Sequence, residues 1–188
     1  MEPIIILAMP RSGSSMTAGL FAKHGVWVGP YEPGNDRNAK GYFESRPFKK
    51  ALIDNCGKLV VAGKMAPQVE GWREIAERIL RQNGYTGGPW MVKHSAMYYP
   101  VWHEFRPKFV CVRRSESGVR ASEKATGMTA DIEAHKAAMD ASGGVDVFTD
   151  ELVSGDYSSL ERAFSHCGVE FDPAIADDFI DPNLWHFK

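Results

Sequence analysis

The chain has 188 residues, 44% of them hydrophobic and 24% charged, with a formal charge of -2 at pH 7. That length and balance fit one globular domain, expected over residues 1–188, and exclude a fibrous or disordered chain. They also exclude a broad basic field that would hold nucleic acid non-specifically, so any anion must be bound by individually placed residues.

The first apolar run, "IIILAM" (4–9), is too short to span a bilayer and follows Glu2 where a signal peptide carries positive charge. It reads as a buried strand, and a soluble cytoplasmic protein with no membrane span is expected. The run leads into the small-residue turn "PRSGSS" and a helical stretch. "VWV" (26–28) and "LVVA" (59–62) are weaker strand candidates. Between them, "GPYEPGNDRNAKGYFESRP" (29–47) has no periodicity and many turn formers, so it reads as a long loop, of a length that tends to serve function. Trp72, Ile75, Ile79 and Leu80 recur at helical spacing.

Three more continuous apolar runs follow: "PWMVK" (89–93), "KFVCV" (108–112) and "VDVF" (145–148). Such runs mark strands buried on both faces of a parallel sheet. Leu160, Ala163, Phe164 and Cys167 predict a further helix over 158–167, with Ser158 and Glu161 as a capping box and Gly168 as its stop. This alternation predicts an α/β fold in three layers, a mostly parallel central sheet flanked by helices, similar to P-loop NTPases. Ligands bind such sheets at the carboxyl ends of the strands. Cys56, Cys111 and Cys167 show no metal-ligand spacing and read as unreactive thiols in a reducing compartment.

The turn after the first strand is the leading candidate site. A nucleotide-hydrolysing phosphate loop reads Gly-x-x-x-x-Gly-Lys-Ser/Thr. Here the equivalent positions are Ala8, Gly13, Ser14 and Ser15, so a serine stands where the lysine belongs. What survives binds an anion by geometry: a strand end, a glycine, and a helix start with free N–H groups. The cation is Arg11, inside the turn, able to fork two hydrogen bonds to phosphate oxygens. P-loop NTPases also place an Asp at a neighbouring strand end to help hold Mg²⁺, whereas "FVCV" ends in Arg113 and Arg114. Cations at both places predict a nucleotide with separated phosphates, used without a metal site.

In these residues the chain resembles the sulfotransferase family, P-loop-like enzymes that use 3'-phosphoadenosine-5'-phosphosulfate (PAPS), and the bacterial type in particular. "PRSGSSM" resembles the family's 5'-phosphosulfate loop, which implies that Arg11, Ser12, Gly13, Ser14 and Ser15 surround the 5'-phosphate and the sulfuryl group. "RRSESGVRAS" resembles the second signature, an Arg at a strand end and a Ser eight residues on, which implies that Arg114 and Ser122 hold the 3'-phosphate. A helix starting near Ser115 or Glu116 sets Ser122 two turns along, facing the strand end. Arg113 and Arg120 read as supports.

"NAKGYFES" (38–45) resembles a bacterial element whose acid deprotonates the acceptor, and Glu44 matches it. "WMVKHSAMYYP" resembles the strand ending in Lys-Thr-His or Lys-Asp-Pro, but with Lys93 and His94 adjacent. Adjacent strand residues face opposite sides. Lys93 is the expected stabiliser of the bridging oxygen, and the base is Glu44 or His94. The resemblance implies sulfuryl transfer from PAPS to a hydroxyl or amine of a small molecule, glycan or peptide, leaving adenosine 3',5'-bisphosphate. Trp27, Tyr31, Tyr98, Tyr99 and Trp102 are candidates to stack on the acceptor. Two other readings stay open: an ATP-using phosphotransferase, and a nucleotide-binding protein that has lost turnover.

Overall fold

The computed structural model describes residues 2–36, 38–59, 63–127 and 129–184. Four strands form one all-parallel sheet: β1 (Ile4–Ala8), β2 (Met91–Ser95), β3 (Lys108–Arg113) and β4 (Val145–Phe148), in the order β2-β1-β3-β4. These are the four strong apolar runs. Each residue of β1 is at most 4% exposed, because the strand is central and covered on both faces. The "VWV" run contributes only an isolated parallel bridge from Trp27 to Trp90. The proposed strand at 59–62 lies, except for Leu59, outside the described residues.

Side-chain alternation sorts the core into two layers around the sheet. On one face, Ile5, Leu7, Val92, Phe109 and Cys111 pack with α2 (Arg46–Cys56), α3 (Trp72–Gln82), α4 (Glu116–Thr126), α5 (Ile132–Ser142) and a 3₁₀ segment, Ala96–Phe105. On the other, Ile4, Ile6, Ala8, Met91, Val110 and Val112 pack with α1 (Ser14–Lys23), α6 (Thr149–Val153), α7 (Ser158–Cys167) and α8 (Pro173–Phe179). The result is a three-layer α/β sandwich.

Helix α7 spans the predicted residues, but its predicted capping box is absent. Ser158 is already helical, and Asp156 accepts from the Ser158 N–H at 2.9 Å. An aspartate two residues upstream reaches the free donor first, so the serine is not needed as the cap. The three cysteines are free thiols, and burial pushes Cys111 upward and Cys167 up to about 12. Among the described residues no helix is long and apolar enough to cross a membrane.

The long loop after α1 is fastened by a residue from near the other end of the chain, in α8, which packs in the same layer as α1. Phe43 has φ 51°, a conformation unusual for a bulky residue, and stacks on Tyr31 at 4.8 Å. Its ring also meets Phe179 edge-on at 6.2 Å. Both rings press on α1 at Gly19, where a Cβ would lie 2.4 Å from Phe179 and 2.9 Å from Phe43. Only a glycine admits this approach. Lys40 lies over the Phe179 ring at 4.9 Å and donates to the Phe179 carbonyl.

Candidate functional site

Parallel register brings the carboxyl ends of the strands to one edge, where Ala8 pairs with Ser95 and Val112. Beyond Ala8 the chain makes a tight turn. Arg11 has φ 68° and Gly13 φ 85°, both left-handed, the second at no steric cost. Gly13 is the N-cap of α1 and no side chain caps that helix; its carbonyl accepts from Met16 at 2.9 Å, and the N–H groups of Ser14 and Ser15 precede the first intrahelical bond. Ser14 and Ser15 are half-buried in that turn.

Ser12, expected to help surround the 5'-phosphate, commits its side chain to the turn itself. It is fully buried, and its hydroxyl donates to the Met9 carbonyl at 2.9 Å. Its own carbonyl accepts from Thr149 Oγ at 2.8 Å, while the same hydroxyl reaches the Arg113 carbonyl at 3.0 Å. Ser12 therefore braces the turn, and Thr149 ties it to the end of β3. Nothing in the sequence pattern singled out Thr149, a buried polar residue at a helix start.

Lys93 and Glu44 meet beside this loop. Lys93 pairs with Ile6 in the sheet and shares the α1 face with Met91. Its side chain is only 4% exposed, yet Nζ donates to Ser15 Oγ at 3.1 Å and lies 3.2 Å from Glu44 Oε1. Glu44 Oε2 takes a second cation, Lys49 Nζ, at 2.8 Å. Burial pushes the Lys93 ammonium down, with Glu44 opposing it. Burial alone raises the Glu44 carboxyl, but Lys93 and Lys49 outweigh it and hold it below the usual 4.5. At neutral pH Glu44 is a carboxylate.

His94 lies on the opposite side of β2 and does not join them. Its Nε2 accepts from Trp102 Nε1 at 2.6 Å, and its Nδ1 donates to the Ser95 carbonyl at 2.8 Å. Its ring stacks on Trp102 with 10° between planes. Burial lowers it to about 4. With both nitrogens engaged inside an aromatic layer, His94 stands apart from Lys93, Glu44 and the anion loop. Trp102 is fully buried and Tyr98 4% exposed, so both belong to the core rather than to an acceptor surface. Tyr31, at 38% exposed, stays available; Trp27 and Tyr99 are half-buried.

The second cationic strand end sits against the first. Arg113 is fixed by Asp146 at 2.6 Å and Asp140 at 2.5 Å, a structural pairing. Arg120 pairs with Glu116 and Glu123 on α4. Arg114 turns to the loop: Nη1 donates to the Arg11 carbonyl at 3.3 Å, and Nε lies 3.6 Å from Asp150 Oδ1. Its side chain is 4% exposed, and burial lowers its basicity against the pull of Asp150. Gly118 makes room for it, since a Cβ there would stand 2.6 Å from Arg114 Nε. Ser122, 1% exposed on α4, accepts from Arg11 Nε at 2.7 Å. Thus Arg11, Arg114 and Ser122 form one cluster next to Gly13.

No family model matches the chain, and no curated protein matches it in sequence. In structure it resembles the sulfotransferase domain of the olefin synthase from Synechococcus PCC 7002, at 17% identity and a TM-score of 0.54. That likeness covers 100% of this chain and 83% of that domain, so the chain shares the three-layer fold of a sulfotransferase domain along its full length.

Proposed function

We propose that the protein is a PAPS-dependent sulfotransferase acting on an acceptor hydroxyl or amine. The observation that carries this reading is the single ammonium of Lys93, which touches Ser15 of the anion loop and Glu44 together. It joins a site for a sulfuryl donor to a base for the acceptor.

The residues fit a donor with two separated phosphate groups. The α1 N-terminus, the Gly13 backbone and the hydroxyls of Ser14 and Ser15 suit the 5' end. Arg114 and Ser122 suit the 3'-phosphate. In transfer, the acceptor oxygen bonds to sulfur as the bond from sulfur to the phosphate oxygen breaks, and the electron pair stays on that oxygen. Lys93, Arg11 and the loop N–H groups neutralise it, the kind of placed charge that dominates such reactions. Glu44 takes the acceptor proton. As Lys93 turns its charge toward the departing oxygen, it withdraws the attraction that holds Glu44 low, so the carboxylate becomes a better base.

The acceptor side is a groove of about 280 Å³ lined by Glu32, Arg46, Lys49, Lys50, Ile53 and Asp54, with Lys49 shared with Glu44. The test is thermal stabilisation by adenosine 3',5'-bisphosphate, AMP and ATP, with and without Mg²⁺. The bisphosphate should raise the melting temperature most, with no dependence on the metal. Stabilisation by ATP only with Mg²⁺ would hand the site to the phosphotransferase reading. Arg114→Ala should weaken the bisphosphate by roughly 1.5 to 3 kcal/mol and AMP far less.

A further inference from the structure

Two residues assigned above to the 3'-phosphate are out of a ligand's reach in the free protein. Ser122 is 1% exposed and the Arg114 side chain 4%. The group on Ser122 is Arg11, whose Nε meets the serine Oγ at 2.7 Å across 111 positions of sequence, while the Arg11 carbonyl accepts from Arg114. Arg11 itself is half-exposed and holds a left-handed backbone, φ 68°, that a non-glycine residue adopts only when its surroundings impose it. The surroundings are those two hydrogen bonds together with Ser12, pinned on one side by Met9 and on the other by Thr149.

We propose that Arg11 is the specificity gate between the two phosphate subsites, an inference that rests on the nucleotide reading above. Without ligand its guanidinium covers Ser122. A 3'-phosphate takes Ser122 and Arg114 for itself and lifts Arg11, which then swings to the 5' end of the same nucleotide. The exchange is favourable because a phosphate oxygen accepts charge-assisted bonds, whereas the serine hydroxyl is a neutral acceptor. A nucleotide with only a 5'-phosphate has nothing to lift Arg11 with, so it meets a loop whose cation is engaged elsewhere. The two phosphates therefore bind cooperatively, and the protein rejects nucleotides that lack the 3'-phosphate by withholding a residue of the 5' subsite. By linkage, each subsite strengthens the other by the same factor.

Ser122→Ala separates this from a merely additive pair of subsites. The substitution frees Arg11 without touching it, and alanine suits a helix interior; an unchanged melting temperature confirms the fold. Calorimetric titration should show AMP binding about 3- to 10-fold tighter than to the wild type, the equivalent of one released hydrogen bond. Adenosine 3',5'-bisphosphate should bind no tighter than to the wild type. In an Arg11→Ala background the same serine change should give AMP no gain. AMP binding that is unchanged or weaker in Ser122→Ala, while the wild type still prefers the bisphosphate, overturns the gate alone. A gain that persists in the Arg11→Ala background overturns it as well. A wild type without preference for the bisphosphate overturns the nucleotide reading and the gate together.

Discussion

Lys93 and His94 are adjacent on β2 and share its carboxyl end, yet they sit in opposite surroundings. Lys93 projects to the α1 face and finds Ser15 and Glu44 within 3.2 Å. His94 projects to the aromatic face and stacks on Trp102. An ammonium stripped of water has to be given polar partners, so Lys93 defines a polar site around itself. A neutral imidazole has no such need beyond one donor and one acceptor, so an apolar layer absorbs it. Burial alone does not mark a functional residue; the partners that burial forces on it do.

The largest expected effect comes from Glu44, the proposed base, which pairs with Lys93. Glu44→Gln should lower turnover by about 10²- to 10⁴-fold and leave nucleotide affinity intact. Because Lys93 and Lys49 hold Glu44 below 4.5 in the free protein, the acid limb of a kcat/KM profile, which reports the free enzyme, should lie below that usual value. Lys93→Met should cost about 10²- to 10³-fold in rate. Its melting temperature should hold, since Glu44 keeps Lys49 as a partner.

His94→Phe tests the other side of the strand. It keeps the stacked ring but leaves Trp102 Nε1 buried without an acceptor, so stability should fall by about 1 to 3 kcal/mol while turnover changes little. The pH dependence of unfolding should also change. His94 titrates near 6.5 when unfolded and about 4 when folded, so between those values the unfolded chain binds more protons and stability drops as pH falls. The variant should flatten that drop. A large rate loss in His94→Phe with an undisturbed fold would dissolve the contrast between the two residues.

Much of this was legible in the sequence, for identifiable reasons. Apolar runs marked all four strands, though Asp146 interrupts the last, and period-two alternation set Lys93 and His94 on opposite faces. Alternation does not say which face holds the chemistry; that depends on which helices cover each side. Helix α2 was obscured because it starts at Arg46, inside the tail of a glycine- and proline-rich loop, with Pro47 in its first turn. Ser12 was legible as part of a motif but not as a brace, because its hydroxyl is consumed by a carbonyl three residues back. The Arg11 contact with Ser122 spans 111 positions and leaves no local pattern.

The packing of Phe43 and Phe179 against Gly19 carries a consequence for the order in which the protein becomes competent as it is synthesised. The anion loop and α1 leave the ribosome early, whereas the aromatic ring that fastens the Glu44 loop belongs to α8. A nascent chain that lacks Thr149 has no tie between the anion loop and the end of β3, and one that lacks α8 has no ring to hold Phe43 against Gly19. The site therefore takes its full form only once the last described helix has docked.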